Sequence, residues 1–204
     1  ISGGTNTLTL QSGGFISSGT ANVTIATPII VPGGGVTGGE LVVYSAVANV
    51  GPTFSGSIAA TGITKLGAGA LTLAGDNRGT LTGDVVTTFN AGNGQNYVIL
   101  TNQYALGGSL TNPYAAGNNL VLSGGAAQTN ANFWFQSDLR LNTDSLFAGN
   151  GNSAMTNLVV NGYGVGAANP FNTPVSVWQG TASQIFFGNA QLNNGPVSFR
   201  VDQT

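Results

Sequence analysis

Few side chains in this sequence are able to do chemistry. There is no His and no Cys among its 204 residues. Ser–His and Cys–His nucleophilic pairs are therefore excluded, as are zinc sites of the His/Cys type. What remains is carboxylate chemistry from Glu40, Asp76, Asp84, Asp138, Asp144 and Asp202. Two spacings stand out: Asp138 and Asp144 flank Leu139-Arg140-Leu141, and Asp76 and Asp84 flank a Gly-containing turn. Paired acids serve glycoside hydrolysis when they converge on a groove. In a chain this poor in charge, acids more often cap turns or pair with an Arg, and no catalytic residues are expected. Asp76, Asn77 and Asp144 offer hard oxygen ligands of the kind calcium takes. No EF-hand loop or Gly-Gly-x-Gly-x-Asp repeat accompanies them, so ordinary turn capping is the favoured reading of these residues; calcium is the weaker candidate and no other cofactor is expected. Trp134 and Trp178, with Asn and Gln nearby, would make a sugar-stacking platform if exposed. The run Phe133-Trp134-Phe135 is apolar enough to favour a core position instead.

The background to these residues is nearly neutral. Charged residues make up 5% of the chain, against roughly 25% in an ordinary soluble domain. The surface must be built from Thr, Ser, Asn, Gln, Gly and backbone. Low net charge removes one barrier to self-association, which suits a polymer or a packed lattice. The four cations, Lys65, Arg78, Arg140 and Arg200, are too few to neutralise many phosphates, so nucleic acid is excluded as a partner. No apolar run approaches the roughly 20 residues that span a bilayer. The chain starts at Ile1 and reads as a processed mature chain or a piece of a longer one.

The elements that must position these residues are strands. Thr5–Leu10, Val23–Ile25, Phe54–Ile58, Leu71–Leu73, Leu139–Leu141 and Val197–Val201 alternate polar and apolar, the period of a strand with one buried face. Leu41–Tyr44, Tyr97–Leu100, Leu120–Leu122, Leu158–Val160 and Ile185–Phe187 are continuously apolar and predict strands buried on both faces. Asn93-Gly94, Asn150-Gly151, Asn161-Gly162 and Asn194-Gly195 supply turn chemistry, and the Gly pairs at 38–39, 107–108 and 124–125 supply corners. Only Asn102–Leu106 has room for a helical turn. The prediction is an all-β chain. A right-handed β-helix or β-solenoid is favoured, with a jelly-roll-like β-sandwich as the alternative. A soft boundary near Asn112 divides a Gly/Thr-rich region, 1–112, from an aromatic-richer β region, 113–204, continuous with the first.

One segment carries a recognisable motif. In Ile63–Asn77, the residues Lys65, Gly67, Gly69, Leu71, Leu73, Gly75 and Asn77 fall in the register Lys-x-Gly-x-Gly-x-Leu-x-Leu-x-Gly-x-Asn. This resembles the autotransporter-associated β-strand repeat, with the resemblance extending over about residues 36–110. The downstream match is looser: Arg78-Gly79-Thr80 replaces the family's usual aromatic run. The resemblance implies a secreted bacterial surface protein with the repeat in a right-handed parallel β-helix, where these seven residues are scaffold.

The expectation is an extracellular, non-enzymatic structural protein at the bacterial cell surface. It would be a self-assembling subunit of a fibre or stalk, a homopolymer joined through strand edges or coil ends. Thr5, Thr7, Leu8 and Leu10 form the candidate edge or donated strand, being alternating, uncharged and close to a terminus. The second reading is an adhesin-like or glycan-binding module of a longer surface protein.

Overall fold

The computed structural model describes residues 6–33, 38–88, 97–112, 114–142, 146–149, 152–161, 176–177 and 185–193. Among them there is no helix, and the chain winds through strands in repeating coils. The first coil holds β1 (Leu8–Thr9), β2 (Gly14–Ser17) and β3 (Val23–Ile25). The second holds β4 (Ile29–Ile30), β5 (Glu40–Ser45) and β6 (Pro52–Phe54). The third holds β7 (Ile58–Ala59), β8 (Gly62–Leu66) and β9 (Leu71–Leu73). Then come β10 (Val85–Thr88) and β11 (Tyr97–Leu100), β12 (Leu120–Ser123) and β13 (Ala126–Thr129), and β14 (Phe133–Trp134), β15 (Leu139–Leu141) and β16 (Leu146–Gly149). The long β17 (Ser153–Asn161), β18 (Ser176–Val177) and β19 (Ile185–Asn193) complete the described chain.

Each strand pairs in parallel with its counterpart one coil on, so three parallel sheets build up side by side. The first is β1-β4-β7, continued by a parallel bridge from Ala60 to Leu81. The second runs β2-β5-β8-β10-β12-β15-β17, with β14 and β19 also on β17. The third runs β3-β6-β9-β11-β13-β16-β18. A jelly-roll needs antiparallel strands. Here every described strand pair is parallel, and one isolated bridge, Thr88 to Gly124, is antiparallel. The fold is a parallel β-solenoid, and the sandwich alternative is set aside. The second and third sheets cross residue 112 without interruption, through β10–β12 and β11–β13.

The core is built from stacked rows. Leu41, Ile63, Val85, Leu120, Leu139 and Leu158 are in register from coil to coil, and all are buried. In the third sheet Ile25, Phe54, Leu73 and Leu100 form a similar row. Removing each such side chain from water contributes roughly 1.5–3 kcal/mol, but only because the next coil covers it.

Several continuous apolar runs do not lie buried on both faces. In β5, Leu41 and Val43 are fully buried while Tyr44 is 45% exposed, and Val98 and Leu100 alternate with half-buried neighbours in β11. A coil has one inner face, so its outward apolar residues stack on one another and stay partly wet. Leu120–Leu122 is buried throughout, as expected. Phe54–Ile58 is likewise not one strand. It splits into the end of β6, a corner at 55–57, and the start of β7, where the chain passes from the third sheet to the first.

Candidate functional site

The Lys65–Asn77 motif forms most of one coil, and its residues meet the coils on either side. β8 alternates, so Ile63 and Lys65 face inward and both are fully buried. Lys65 lies in the inner row between Val43 and Thr87. Its Nζ donates to the carbonyl of Gly67 at 2.6 Å. Among the described residues no carboxylate is within ion-pair distance of it. Burial without a counter-charge disfavours the ammonium and lowers its pKa to about 8. Thr87 Oγ1, the next polar atom in the row, is buried without a hydrogen-bond partner.

The glycines of the motif exist because backbone from the preceding coil passes too close for a side chain. Gly67 has φ 85°, and a Cβ there would lie 2.3 Å from Ser45 O. At Gly69 it would lie 2.2 Å from Val50 O, while the Gly69 N–H donates to Ser45 O at 2.8 Å. Leu71 and Leu73 are fully buried in the third sheet. Asn77 closes the motif, and it too is fully buried. Its Oδ1 accepts from Ile58 N–H at 2.8 Å, and its Nδ2 donates to Ala105 O at 2.7 Å. One side chain thereby ties together the coil before it and the coil after it. The turn predicted at Asn102–Leu106 supplies that second partner, with Ala105 N–H donating to Asn102 O at 3.1 Å.

The two described calcium candidates, Asp76 and Asn77, have separate partners. The Asn77 amide is spent on Ile58 and Ala105, whereas Asp76 is an exposed carboxylate gripped by Arg78 at 2.5 Å. That hydrogen-bonded guanidinium lowers the Asp76 pKa, and the carboxylate raises that of Arg78. Asp144 lies outside the described residues. Among the described residues there is no group of three or more acids, His or Cys able to hold a metal.

The other described acids have separate partners too. Glu40 accepts from Thr64 Oγ1. Asp84 accepts from the backbone N–H and Nδ2 of Asn119 at 2.9 and 2.8 Å. Asp138 accepts from Asn157 Nδ2 at 2.7 Å and lies 3.7 Å from Arg140. These contacts belong to amide columns that motif reading missed. Asp138, Asn157 and Asn189 form one, with Asn189 donating to Asn157 at 3.2 Å. Ser123, Asn142, Asn161 and Asn193 form a second, linked at 3.2, 2.9 and 3.1 Å. A signal for these contacts was present: Asp84, Asn119, Asp138 and Asn157 each directly precede an inward apolar residue of a strand, Val85, Leu120, Leu139 and Leu158.

Of the assembly candidates, Leu8 lies in β1 and pairs with Ile29 of its own chain, and the Leu10 N–H donates to Ile30 O at 2.9 Å. Within this single chain the segment pairs with the second coil. It is an edge strand, since β1 ends the first sheet among the described residues. Thr7 is exposed just before it, and Thr5 lies outside the described residues. Trp134 departs from its predicted core position: it is 64% exposed, while Phe135 beside it is buried. Trp178 lies outside the described residues. Among the described residues no helix is long and apolar enough to cross a membrane.

The chain matches no protein-family model, no curated protein and no solved structure.

Proposed function

We propose that the chain is a structural rod segment of an extracellular bacterial surface fibre or stalk, without enzymatic activity, whose coil ends join it to the next unit. The observation that carries this reading is the use made of the motif. Lys65, Gly67, Gly69 and Asn77 serve backbone within their own coil or in the adjoining ones, as scaffold residues do. The likeness of that motif to the autotransporter-associated repeat points the same way. So does a surface with 5% charge, which offers little repulsion between neighbours.

Joining at coil ends has a physical basis. β1, β2 and β3 are the terminal strands of the three sheets among the described residues. In β2 the carbonyls of Gly13 and Ser17 already accept from Val42 and Ala46, so strand alternation directs the N–H of Ile16 to the open edge. Another parallel coil, from a second copy or from the same polypeptide, would extend all three sheets at once. The test is electron microscopy of the native material together with the intact mass of its chain. Ordered fibres of copies near 20.4 kDa are expected, and Ile16→Pro, which removes one donor at the open edge, should shorten them. Dispersed monomers of that mass, or fibres indifferent to Ile16→Pro, would overturn joining at this edge.

A further inference from the structure

The outward face of β14, β17 and β19 carries an arrangement that coil stacking does not use. Trp134, Ala154 and Phe186 are in register across three parallel strands. Trp134 and Phe186 are 64% and 53% exposed. Strand spacing places them about 10 Å apart, with the small Ala154 as a notch between. Beside that row, Gln136, Thr156 and Gly188 line the same groove as a second, polar set with a gap at the glycine. The Phe135 N–H on Ala154 O at 2.8 Å holds Trp134 opposite Ala154. Phe135 and Met155, between the two rows, point inward and are buried.

The two rows line one groove, and none of its described lining residues is charged. A second, smaller depression shares Trp134 and Gln136 with this groove and is lined on its far side by Tyr104 and Arg78. There the guanidinium lies 3.7 Å from the Tyr104 ring centre and is already neutralised by Asp76. The groove thus runs along the solenoid axis, across the strands.

We infer that this groove binds a neutral polysaccharide chain laid along the axis. A sugar ring has an apolar C–H face and a rim of hydroxyls. The exposed rings of Trp134 and Phe186 fit the face, and the Gln136 amide and Thr156 hydroxyl can donate to and accept from the rim. The shape calls for an elongated ligand, because the rings are strung in a line. An extended peptide is the poorer fit, since it binds through main-chain hydrogen bonds to a strand edge, and this is the face of a sheet. A charged polymer has nothing to pair with between Trp134 and Phe186. The inference stands apart from coil-end joining and holds for a free or an assembled rod.

The test is co-sedimentation of the full chain with insoluble cellulose, chitin and β-glucan, followed by titration with soluble oligosaccharides of whichever retains it. Retention insensitive to salt is expected. Trp134→Ala and Phe186→Ala should each weaken binding about tenfold or more. Ala154→Glu, which puts charge and bulk in the notch and leaves both rings, should do the same. Trp134→Phe should keep most of the affinity, and Tyr114→Ala, exposed but outside the groove lining, should bind as the parent does. Circular dichroism of each variant checks that the solenoid is intact. Failure of the parent to bind any of the three polymers would overturn the inference. So would unchanged binding by the aromatic variants, or a Trp134-dependent self-association with no retention on glycan. Fibre formation scored on the same variants bears on coil-end joining alone.

Discussion

Replacing Asn77 by Leu should open the solenoid at the coil that the motif builds. The side chain is fully buried, and its two polar ends serve two backbone groups, Ile58 N–H and Ala105 C=O. Leu has the same number of side-chain heavy atoms with the same branching and is somewhat bulkier, so no cavity is left. It does leave both backbone groups buried and unpaired, at about 1–3 kcal/mol each. Burying an apolar side chain in place of an amide returns roughly 1–2 kcal/mol. The net loss is on the order of 3 kcal/mol, or about 6–12 °C in melting temperature for a chain of this size. Coils need not melt together in a solenoid, so a global midpoint is the weaker readout. The decisive assay is native-state hydrogen exchange at the Ile58 amide, which should lose most of its protection. Asn77→Asp supplies a second arm. It keeps the acceptor for Ile58 but sets a buried carboxylate against Ala105 O, which raises its pKa in the folded state. That variant should regain stability as the pH falls and the protonated acid donates to Ala105. Unchanged protection at Ile58 in Asn77→Leu, with a stability loss below about 1 kcal/mol, would refute the assignment of Asn77 as a link between coils.

Two further outcomes follow from the same coil. Lys65 titrates near 8 in the folded chain and at 10.5 when unfolded, so the folded state carries the cost of burying charge below pH 8 and sheds it between pH 8 and 10.5. Stability should rise across that window by at most about 3 kcal/mol, and less to the extent that water reaches the ammonium tip. Tyr97, whose pKa is raised by burial, opposes this only above pH 10. Lys65→Met should flatten the rise and be no less stable than the parent at pH 7; urea titrations at a series of pH values check both. Gly67→Ala combines φ 85° with a Cβ 2.3 Å from Ser45 O and should cost at least about 3 kcal/mol, seen as loss of soluble folded chain on expression. A Gly67→Ala chain that melts like the parent would contradict the close approach of these two coils.

The strands were legible where one inner face decides the pattern. Leu71–Leu73 and Leu139–Leu141 coincide with β9 and β15 because each places two apolar residues inward around one polar residue, and Val23–Ile25 coincides with β3, where Ile25 alone is buried and Val23 is exposed at the end of the solenoid. The coil period was not legible, for a physical reason. Leu120 pairs with Leu139 and Leu139 with Leu158, steps of 19 residues, yet Val85 pairs with Leu120, a step of 35. Loops of unequal length leave at the corners, where insertion is cheap, so the ladder keeps a register that the sequence spacing hides. Corners were also misread from sequence: Phe54-Ser55-Gly56-Ser57-Ile58 has the alternation of a strand but bends between two sheets, since both apolar ends must point into the same core.

The same geometry explains which candidate residues were misjudged. Period two decides the side of each residue: Phe135, fully inward, forces its neighbour Trp134 outward whatever its hydropathy. Counting apolar neighbours placed Trp134 in the core; counting parity from Phe135 would have placed it on the surface. Parity also separates Asp76 from Asn77, adjacent in sequence, one an exposed partner of Arg78 and the other a buried link between coils. A sequence pairing of acid and amide as joint ligands fails here because the two neighbours face opposite ways, Asp76 outward and Asn77 into the core. Chemistry on a solenoid is therefore assembled across coils, from residues some 19 to 35 positions apart in register, and the aligned outward rows are where it must be sought.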